Sequence, residues 1–395
     1  MLARLTPLTP LHVSLADAVG SVLAADVVAS EDVPPVALAA SDGYAVRASD
    51  AAGAARRAVT LPVTHDIVSG HAPTRLARGA AARVARGATL PFGADAVVAG
   101  ATDSTSSVLI RVPVNAGDAV TGVGAYARAG DVIAPAGAVV SPGHVAAMAA
   151  AGMSNVVVTP SPRVAIVAVG SELRQRATTT HPAASPAEPV PDASSGLLAA
   201  LVSSVGGRVV RTMVVPDDPS AIRRAIEDVV LQADLVVTLG GMSDDWQDVV
   251  LPVLSASYGV ERFAVRLSPG DAHGIGRVGD VEGKEVVLLA LPGHPLDVAA
   301  AFVGYVRDAV IALRGGSIER PTLEVGAPWL SPFGYAQVVP VMREDREGKS
   351  VVTPTATSGT VTLAELARAD GLALVAEDVT TVAPPQRVDV VWWAH

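Results

Sequence analysis

The segment that decides the fold is residues 234–248, DLVVTLGGMSDDWQD. After Asp234 it runs through an apolar stretch of strand length into the pair Gly240-Gly241, and acidic residues follow. An apolar run bounded by glycine is typical of a buried parallel strand. Two successive glycines let a turn expose backbone N–H groups, which is a geometry that binds phosphate. An ordinary strand-to-helix turn explains the glycines equally well.

The same pattern recurs on both sides of this segment. Further apolar strands are predicted at residues 163–169, 208–215 and 286–291, and helices at residues 194–205, 218–231 and 296–313. Strands that alternate with amphipathic helices indicate a parallel sheet covered on both faces. Ligands bind such sheets beyond the carboxyl ends of the strands. Those ends lie here at residues 170–172, 216–218, 240–243 and 292–295.

The rest of the chain predicts other architectures. Helical spacing of apolar residues predicts a helix over residues 11–28. Ser141 fits the N-cap of a second helix, with Pro142 at its first position and Gly152 beyond its end. Short valine-rich runs indicate a β-rich region at residues 59–120, and strand-like runs from residue 321 onward indicate a small C-terminal β domain.

The composition excludes several functional classes. The 395 residues include 29 Lys+Arg and 39 Asp+Glu, and the net charge of −10 disfavours nucleic acid and anionic membranes as partners. The absence of cysteine excludes disulfides, iron–sulfur clusters, thiolate zinc sites and cysteine nucleophiles. No apolar run reaches the ~20 residues of a membrane span, and residues 1–10 do not resemble a signal peptide. We therefore expect a cytoplasmic protein.

Acidic residues near the strand ends suggest a metal site. Asp244 and Asp248 are spaced i, i+4, so on one helix face they could hold Mg²⁺ beside a phosphate. The alternative is that they cap a helix N-terminus. Glu172 could bind metal, transfer a proton or cap a helix. Asp42, which precedes Gly43, is also typical of an ordinary turn.

Taken in order, these segments resemble one family, the MoeA molybdopterin molybdenumtransferases, which are equivalent to the E domain of gephyrin. The similarity is carried by residues 41–47 (SDGYAVR), 90–98 (LPFGADAVV), 163–173 (RVAIVAVGSEL), 215–218 (VPDD), 234–248 and 291–295 (LPGHP). The resemblance implies a homodimer with a multidomain α/β plus β fold. Its four domains would be an elongated discontinuous linker domain I (1–43 and 121–160), an inserted β domain II (44–120), a MogA-like doubly wound α/β domain III (161–317) and a C-terminal small β-barrel domain IV (318–395).

The resemblance also implies a reaction. Molybdate and adenylylated molybdopterin would react with the help of Mg²⁺, so that molybdenum enters the dithiolene and AMP is released. The thiols belong to the pterin, so a protein without cysteine can support this chemistry. A MogA-type adenylyltransferase is the expected partner. The site residues implied are Asp42, Glu172 and Asp248 as catalytic groups; Gly240, Gly241, Ser243, Asp217, Pro292, Pro295 and Ser358 as cofactor-binding groups; and Asp248, Asp244 and Glu172 as metal ligands.

Several positions of the expected site depart from the family pattern. The family's KPGKP segment is SPGDA at residues 268–272, so two lysines are absent and Asp271 adds a negative charge. Like charge near an anionic ligand weakens binding unless a cation compensates. Two alternatives to an active molybdenumtransferase therefore stay open. One is a catalytically impaired paralogue that acts as a binding, scaffold or regulatory protein. The other is an unrelated nucleotide-binding α/β enzyme that uses the turn at residues 240–243.

Overall fold

The computed structural model describes residues 5–99, 102–104, 106–174, 190–242, 248–270, 272–279, 285–356 and 361–393. The chain divides into two compact units. Residues 12–158 form one unit, and residues 1–11 together with residues 159–395 form the other. Among the described residues, no helix is both long enough and apolar enough to cross a membrane.

The unit of residues 12–158 consists mostly of short strands. Its largest sheet contains six strands in the spatial order Ala96–Val98, Gly43–Val46, Ala81–Val84, Val59–Ile67, Ser107–Ile110 and Thr102–Ser104. A three-stranded sheet has the spatial order Leu11–Ser14, Asn155–Thr159 and Val22–Leu23. Two further strand pairs are Val120–Thr121 with Leu38–Ala39, and Val132–Ala134 with Val27–Val28. The helical segments are Leu15–Ala18, Ala48–Ala51, the 3₁₀ turn Ala52–Ala55 and Pro142–Ala150.

The helix predicted over residues 11–28 is wrong. This stretch forms a single helical turn at Leu15–Ala18, flanked by short strands. Gly20 follows with a φ of +80°, which a right-handed helix does not allow. The apolar residues at helical spacing instead fill a small core that includes Leu15 and Leu23. The helix bounded by Ser141 and Gly152 is confirmed, and the side chain of Ser141 accepts a hydrogen bond from the backbone N–H of His144.

The α/β part of the second unit is built on one six-stranded sheet. Its strands are β1 (Arg163–Val169), β2 (Arg208–Val215), β3 (Leu235–Leu239), β4 (Glu261–Ala264), β5 (Ala272–Gly279) and β6 (Glu285–Leu291). The spatial order is β2-β1-β3-β6-β5-β4. The four predicted strands, β1, β2, β3 and β6, are parallel, as expected. The antiparallel strands β4 and β5 at one edge were not predicted.

Helices cover both faces of this sheet, as a doubly wound fold requires. They are α1 (Ser194–Ser204), α2 (Pro219–Val230), α3 (Val250–Tyr258), α4 (Pro295–Ala301) and α5 (Arg307–Leu313). Alternate residues of β1 enter different cores: Ile166 packs in the core that contains residues of α1 and α4, and Val167 in the core that contains residues of α2 and α3. The single helix predicted over residues 296–313 is interrupted by a π-helical turn, Phe302–Val306.

The C-terminal part is a small β-barrel. Five strands close on themselves in the order Ala336–Arg346, Lys349–Pro354, Thr322–Val325, Arg387–Trp392 and Gly371–Val375, and the last strand pairs with the first. The short strand Leu267–Ser268, from the segment between β4 and β5, pairs in parallel with the first barrel strand. The remaining elements are the pair Trp329–Leu330 with Thr381–Val382, the helix Leu363–Arg368, and the pair Leu173–Arg174 with Val190–Pro191.

Candidate functional site

The strand order of the α/β sheet creates a cleft beyond the carboxyl ends of β1 and β3. The chain leaves β1 to form β2 on one side and then returns to form β3 on the other, so the two connections diverge here. Ligands of doubly wound sheets bind at such a switch point. A cleft of 490 Å³ lies at this position. Its lining includes Gly170, Glu172, Asp192, Ser194, Asp217, Gly240, Gly241, Gly293, His294 and Pro295.

The turn after β3 requires both of its glycines. Gly240 has a φ of +96°, and a Cβ atom there would lie 2.6 Å from the carbonyl oxygen of Val169. Gly241 has a φ of +68°, and a Cβ atom there would overlap the side chain of Val250 in α3. The Gly240 N–H donates to the carbonyl of Leu291 at 3.0 Å, so the predicted anion-binding turn does not include that group. Gly240 therefore shapes the turn rather than offering its own N–H to a ligand.

Asp217 connects the loop after β2 to the loop after β1. Its Oδ2 accepts a hydrogen bond from the backbone N–H of Ser171 at 2.7 Å. The Asp217 N–H donates in return to the hydroxyl of Ser171 at 3.1 Å. Glu172, the next residue, is exposed, and a Cβ atom on Gly170 would lie 2.7 Å from both of its carboxylate oxygens. The cleft thus brings Glu172 and Asp217 together on adjoining loops.

The turn that precedes α4 forms another wall of the cleft. A Cβ atom on Gly293 would lie 3.2 Å from the Cα of Gly240, so this turn contacts the turn after β3. The imidazole Nδ1 of His294 accepts a hydrogen bond from the Leu296 N–H at 3.3 Å and caps α4, where Pro295 takes the first helical position. Pro292 precedes this turn and is partly buried.

Two lining residues were not predicted as site residues. The buried hydroxyl of Ser194 donates to the carbonyl of Gly293 at 2.6 Å, which ties α1 to the turn before α4. Asp192 accepts a hydrogen bond from the Ser195 N–H at 3.0 Å at the start of α1. The capping pattern of Asp192 and Ser195 was visible in the sequence. The Ser194 contact was not, because its two residues are 99 positions apart.

The helix-face argument for Asp244 and Asp248 is wrong at Asp248. Helix α3 begins at Val250, so Asp248 precedes the helix. Its Oδ1 accepts a hydrogen bond from the Val250 N–H at 3.0 Å, as the capping alternative expected. The same oxygen would lie 2.9 Å from a Cβ atom on Gly241, so Asp248 borders the glycine turn. Asp244 lies outside the described residues, as do Ser243, Asp271 and Ser358.

Asp42 belongs to the unit of residues 12–158. Its Oδ1 accepts a hydrogen bond from the backbone N–H of Arg86 at 2.8 Å. It lines a shallow pocket of 470 Å³ together with Tyr44 and the exposed ion pair of Asp66 and Arg83. The side chain of Arg83 lowers the pKa of Asp66 through their hydrogen bond. The hydrogen bond from Arg86 means that the Asp42 carboxylate stabilises the loop at residue 86, as the ordinary-turn alternative expected.

The described lining of the cleft is acidic. It carries the carboxylates of Glu172, Asp192 and Asp217, and no lysine or arginine. Within the described ranges, no three acidic or histidine side chains are grouped so as to hold a metal ion by themselves. Carboxylate oxygens are nevertheless the ligands that Mg²⁺ prefers, and this ion commonly uses one or two of them with water and substrate phosphates. The chemistry of the cleft therefore fits Mg²⁺ bound jointly with a phosphorylated ligand.

Family models match the chain in three successive parts. Residues 1–152 match the MoeA N-terminal region (domain I and II), residues 165–312 a probable molybdopterin binding domain, and residues 322–393 the MoeA C-terminal region (domain IV). These parts cover both units of the structure.

Whole-length relatives agree with these matches. The chain is 32% identical to molybdopterin molybdenumtransferase 2 of Mycobacterium tuberculosis, over 96% of this chain and 94% of that protein. It is 31% identical to molybdopterin molybdenumtransferase 1 of the same organism, over 98% of this chain and 95% of that protein. The crystal structure of the molybdopterin biosynthesis MoeA protein from Pyrococcus horikoshii superposes with a TM-score of 0.77 and 25% identity, over 100% of this chain and 97% of that one. The chain therefore belongs to the MoeA family.

Proposed function

We propose that this chain is a molybdopterin molybdenumtransferase that acts in molybdenum cofactor biosynthesis. It takes molybdate and adenylylated molybdopterin as substrates, inserts molybdenum into the dithiolene and releases AMP. The observation that carries this proposal is the likeness to two molybdenumtransferases over nearly the whole of each protein. An unrelated nucleotide-binding enzyme would not share the N-terminal and barrel regions as well. The impaired paralogue rests only on the substituted positions, while the glycine turn and its supporting contacts are intact.

The chain's own residues would bind and orient the pterin ligand. The turn at Gly240 and Gly241 contacts the turn that follows Pro292, and Gly293 and Pro295 of this second turn line the cleft. We propose that a phosphate of the ligand lies at the glycine turn, near Ser243. The paired contacts of Asp217 with Ser171 would hold the neighbouring loop in place. Ser358 would contribute from the barrel side.

Mg²⁺ completes this proposal because the described residues that line the cleft include no lysine or arginine. With lysine absent at positions 268 and 271, the negative charge of phosphate and molybdate needs another source of compensation. We propose that Glu172, Asp244 and Asp248 hold the ion together with ligand oxygens. When bound, Mg²⁺ would neutralise charge on the phosphate and molybdate oxygens. Asp42, Glu172 and Asp248 are the proposed catalytic groups.

The proposal extends to assembly and location. We propose a cytoplasmic homodimer with the four-domain division stated for the family. The unit of residues 12–158 exposes large apolar side chains that a second copy could cover, among them Val19, Val132 and Tyr126. The adenylylated substrate must come from an enzyme that transfers AMP to the pterin, and a MogA-type adenylyltransferase is the proposed partner.

Complementation tests the proposed function in a living cell. A strain without its own molybdopterin molybdenumtransferase would receive the full chain, and the activity of a molybdenum-dependent enzyme would be measured at ordinary molybdate. We expect the wild-type chain to restore activity and the Gly240→Ala variant to fail. A wild-type chain that is soluble and abundant but restores nothing, even at high molybdate, would favour the impaired paralogue.

A further inference from the structure

Three aromatic side chains form a compact cluster beside the segment between β4 and β5. His273 of β5 is fully buried, and its ring lies 5.8 Å from that of Phe263 in β4. The ring of Tyr305 meets His273 edge-on, at 5.3 Å and 89°. Tyr305 belongs to the π-helical turn that interrupts the helix after α4. Such turns often occur at functional sites.

The donor and the acceptor of each hydrogen bond in this cluster can be assigned. The Nε2 of His273 lies 3.3 Å from the carbonyl oxygen of Gly270. A carbonyl can only accept, so Nε2 must carry the hydrogen. In the neutral form of the ring, Nδ1 then accepts from the Tyr305 hydroxyl, 2.5 Å away. Burial raises the pKa of Tyr305 well above its ordinary value, so this hydroxyl keeps its proton and donates.

The Gly270 carbonyl, which accepts the hydrogen bond from His273, belongs to a conformationally constrained segment. Gly270 has a φ of +80°, and a Cβ atom there would lie 2.8 Å from the Cβ of Asp297 in the first turn of α4. Just before it, Leu267–Ser268 pairs with the first strand of the barrel. The segment therefore runs between the barrel and α4, and His273 fixes its end.

The same segment forms one wall of a cavity. Ser268 and Pro269 line a space of 480 Å³ together with Leu296 of α4 and Trp329 of the barrel region. Leu296 follows Pro295, which lines the cleft beyond β1 and β3. The first turn of α4 thus borders both spaces, and a shift of the segment against α4 would disturb both.

We propose that Tyr305 and His273 are positioning residues that hold the Gly270 carbonyl, and with it the cavity wall at residues 268–270, in the geometry that binds substrate. The inference rests on the proposed function for its kinetic consequence, whereas the positioning itself can be observed without catalysis. Neither side chain needs to touch substrate. Their effect is on residues 268–270, of which Ser268 and Pro269 line the cavity.

Replacements of His273 separate the two hydrogen bonds. A glutamine amide nitrogen can take the place of Nε2 and keep the bond to Gly270, whereas an asparagine amide lies nearer Nδ1 and reaches only Tyr305. We expect Tyr305→Phe, His273→Leu and His273→Asn to raise KM for molybdate or for adenylylated molybdopterin roughly tenfold, with kcat changed less than twofold. His273→Gln should restore most of the wild-type KM. Tyr258→Phe is the matched control, because this hydroxyl donates to the Arg223 carbonyl, at 3.4 Å, on another part of the sheet unit.

A second readout does not depend on activity. Hydrogen exchange of peptides that cover residues 266–270 should be faster in His273→Leu than in the wild type, and close to wild type in His273→Gln. Equal exchange in all variants, or lower unfolding midpoints with unchanged KM, would overturn the proposal. If the wild-type chain binds and converts no substrate, the proposed function fails. The hydrogen-exchange comparison alone then decides whether Tyr305 and His273 position residues 268–270.

Discussion

Ser171 and Asp217 are hydrogen-bonded in both directions, from the Ser171 N–H to the Asp217 carboxylate and from the Asp217 N–H to the Ser171 hydroxyl. The pair joins the loops after β1 and β2 at the cleft. Both residues are exposed, so the pair contributes mainly to the local order of the loops and little to global stability. The neighbouring Asp218 instead contributes to global stability, because its carboxylate caps α2 by accepting from the Ala221 N–H at 2.8 Å.

Asp217→Ala should therefore impair binding more than stability. We expect KM for adenylylated molybdopterin to rise about tenfold, with the unfolding midpoint nearly unchanged. Asp218→Ala should lower the free energy of unfolding by about 1 kcal/mol and leave KM near the wild-type value. Steady-state kinetics and urea unfolding of both variants make the comparison. If Asp217→Ala lost stability while keeping its KM, the role given to this pair would be wrong.

Gly240→Ala should close the turn to ligand. The new Cβ would press on the Val169 carbonyl at a positive φ, so we expect a loss of about 3 kcal/mol in stability and at least about hundredfold in affinity. Gly259→Ala is the control, since Gly259 also has a positive φ but open space around its Cα. It should cost about 1 kcal/mol and leave affinity unchanged. Equal ligand affinities in the two variants would contradict the assigned role.

Restoring lysines should strengthen the binding of anions. We expect Ser268→Lys combined with Asp271→Lys to lower KM for molybdate about tenfold at low salt, and the gain should shrink as salt rises. The control pair Ser220→Lys and Asp228→Lys makes the same change in net charge on the exposed face of α2, and should change KM less than about twofold. Equal gains from both pairs would mean that only net charge matters.

Asp308 holds two arginines at the connection to the barrel. Its carboxylate contacts Arg307 at 3.0 Å and Arg320 at 2.6 Å, and both Arg307 and Asp308 are buried. Asp308→Ala would leave positive charge without its partner, so we expect a loss of about 3–5 kcal/mol in urea unfolding. Glu285→Ala, which breaks an exposed pair with Arg277, should cost less than about 1 kcal/mol. A loss at Asp308 no larger than that at Glu285 would show the buried network to be unimportant.

The fold was predictable where local signals agreed. The parallel strands β1, β3 and β6 are largely apolar runs, and glycine or proline follows each of the four parallel strands. Helix α2 begins at a capping aspartate followed by proline. Strands β4 and β5 escaped prediction because β4 is short and largely exposed and β5 contains three glycines. Gly274 and Gly276 are needed there, since Cβ atoms on them would press on Val260.

The site was predictable only in part. Glu172, Asp217 and the glycine pair follow strand ends, so topology brings them to one edge of the sheet. The contacts of Ser194 with Gly293 and of His273 with Tyr305 join distant parts of the chain, which local patterns do not reveal. The spacing of Asp244 and Asp248 predicted one shared helix face, which requires Asp248 to be helical. Helix α3 begins two residues after Asp248, so this prediction was wrong.

The most direct test of the central claim is an insertion assay with the purified chain. Adenylylated molybdopterin, molybdate and Mg²⁺ would be incubated with the protein, and AMP and molybdenum-bound pterin would be measured together. We expect AMP and molybdenum cofactor to form in equal amounts, and to fall strongly when Mg²⁺ is removed. Folded protein that neither binds adenylylated molybdopterin nor releases AMP from it would contradict the claim.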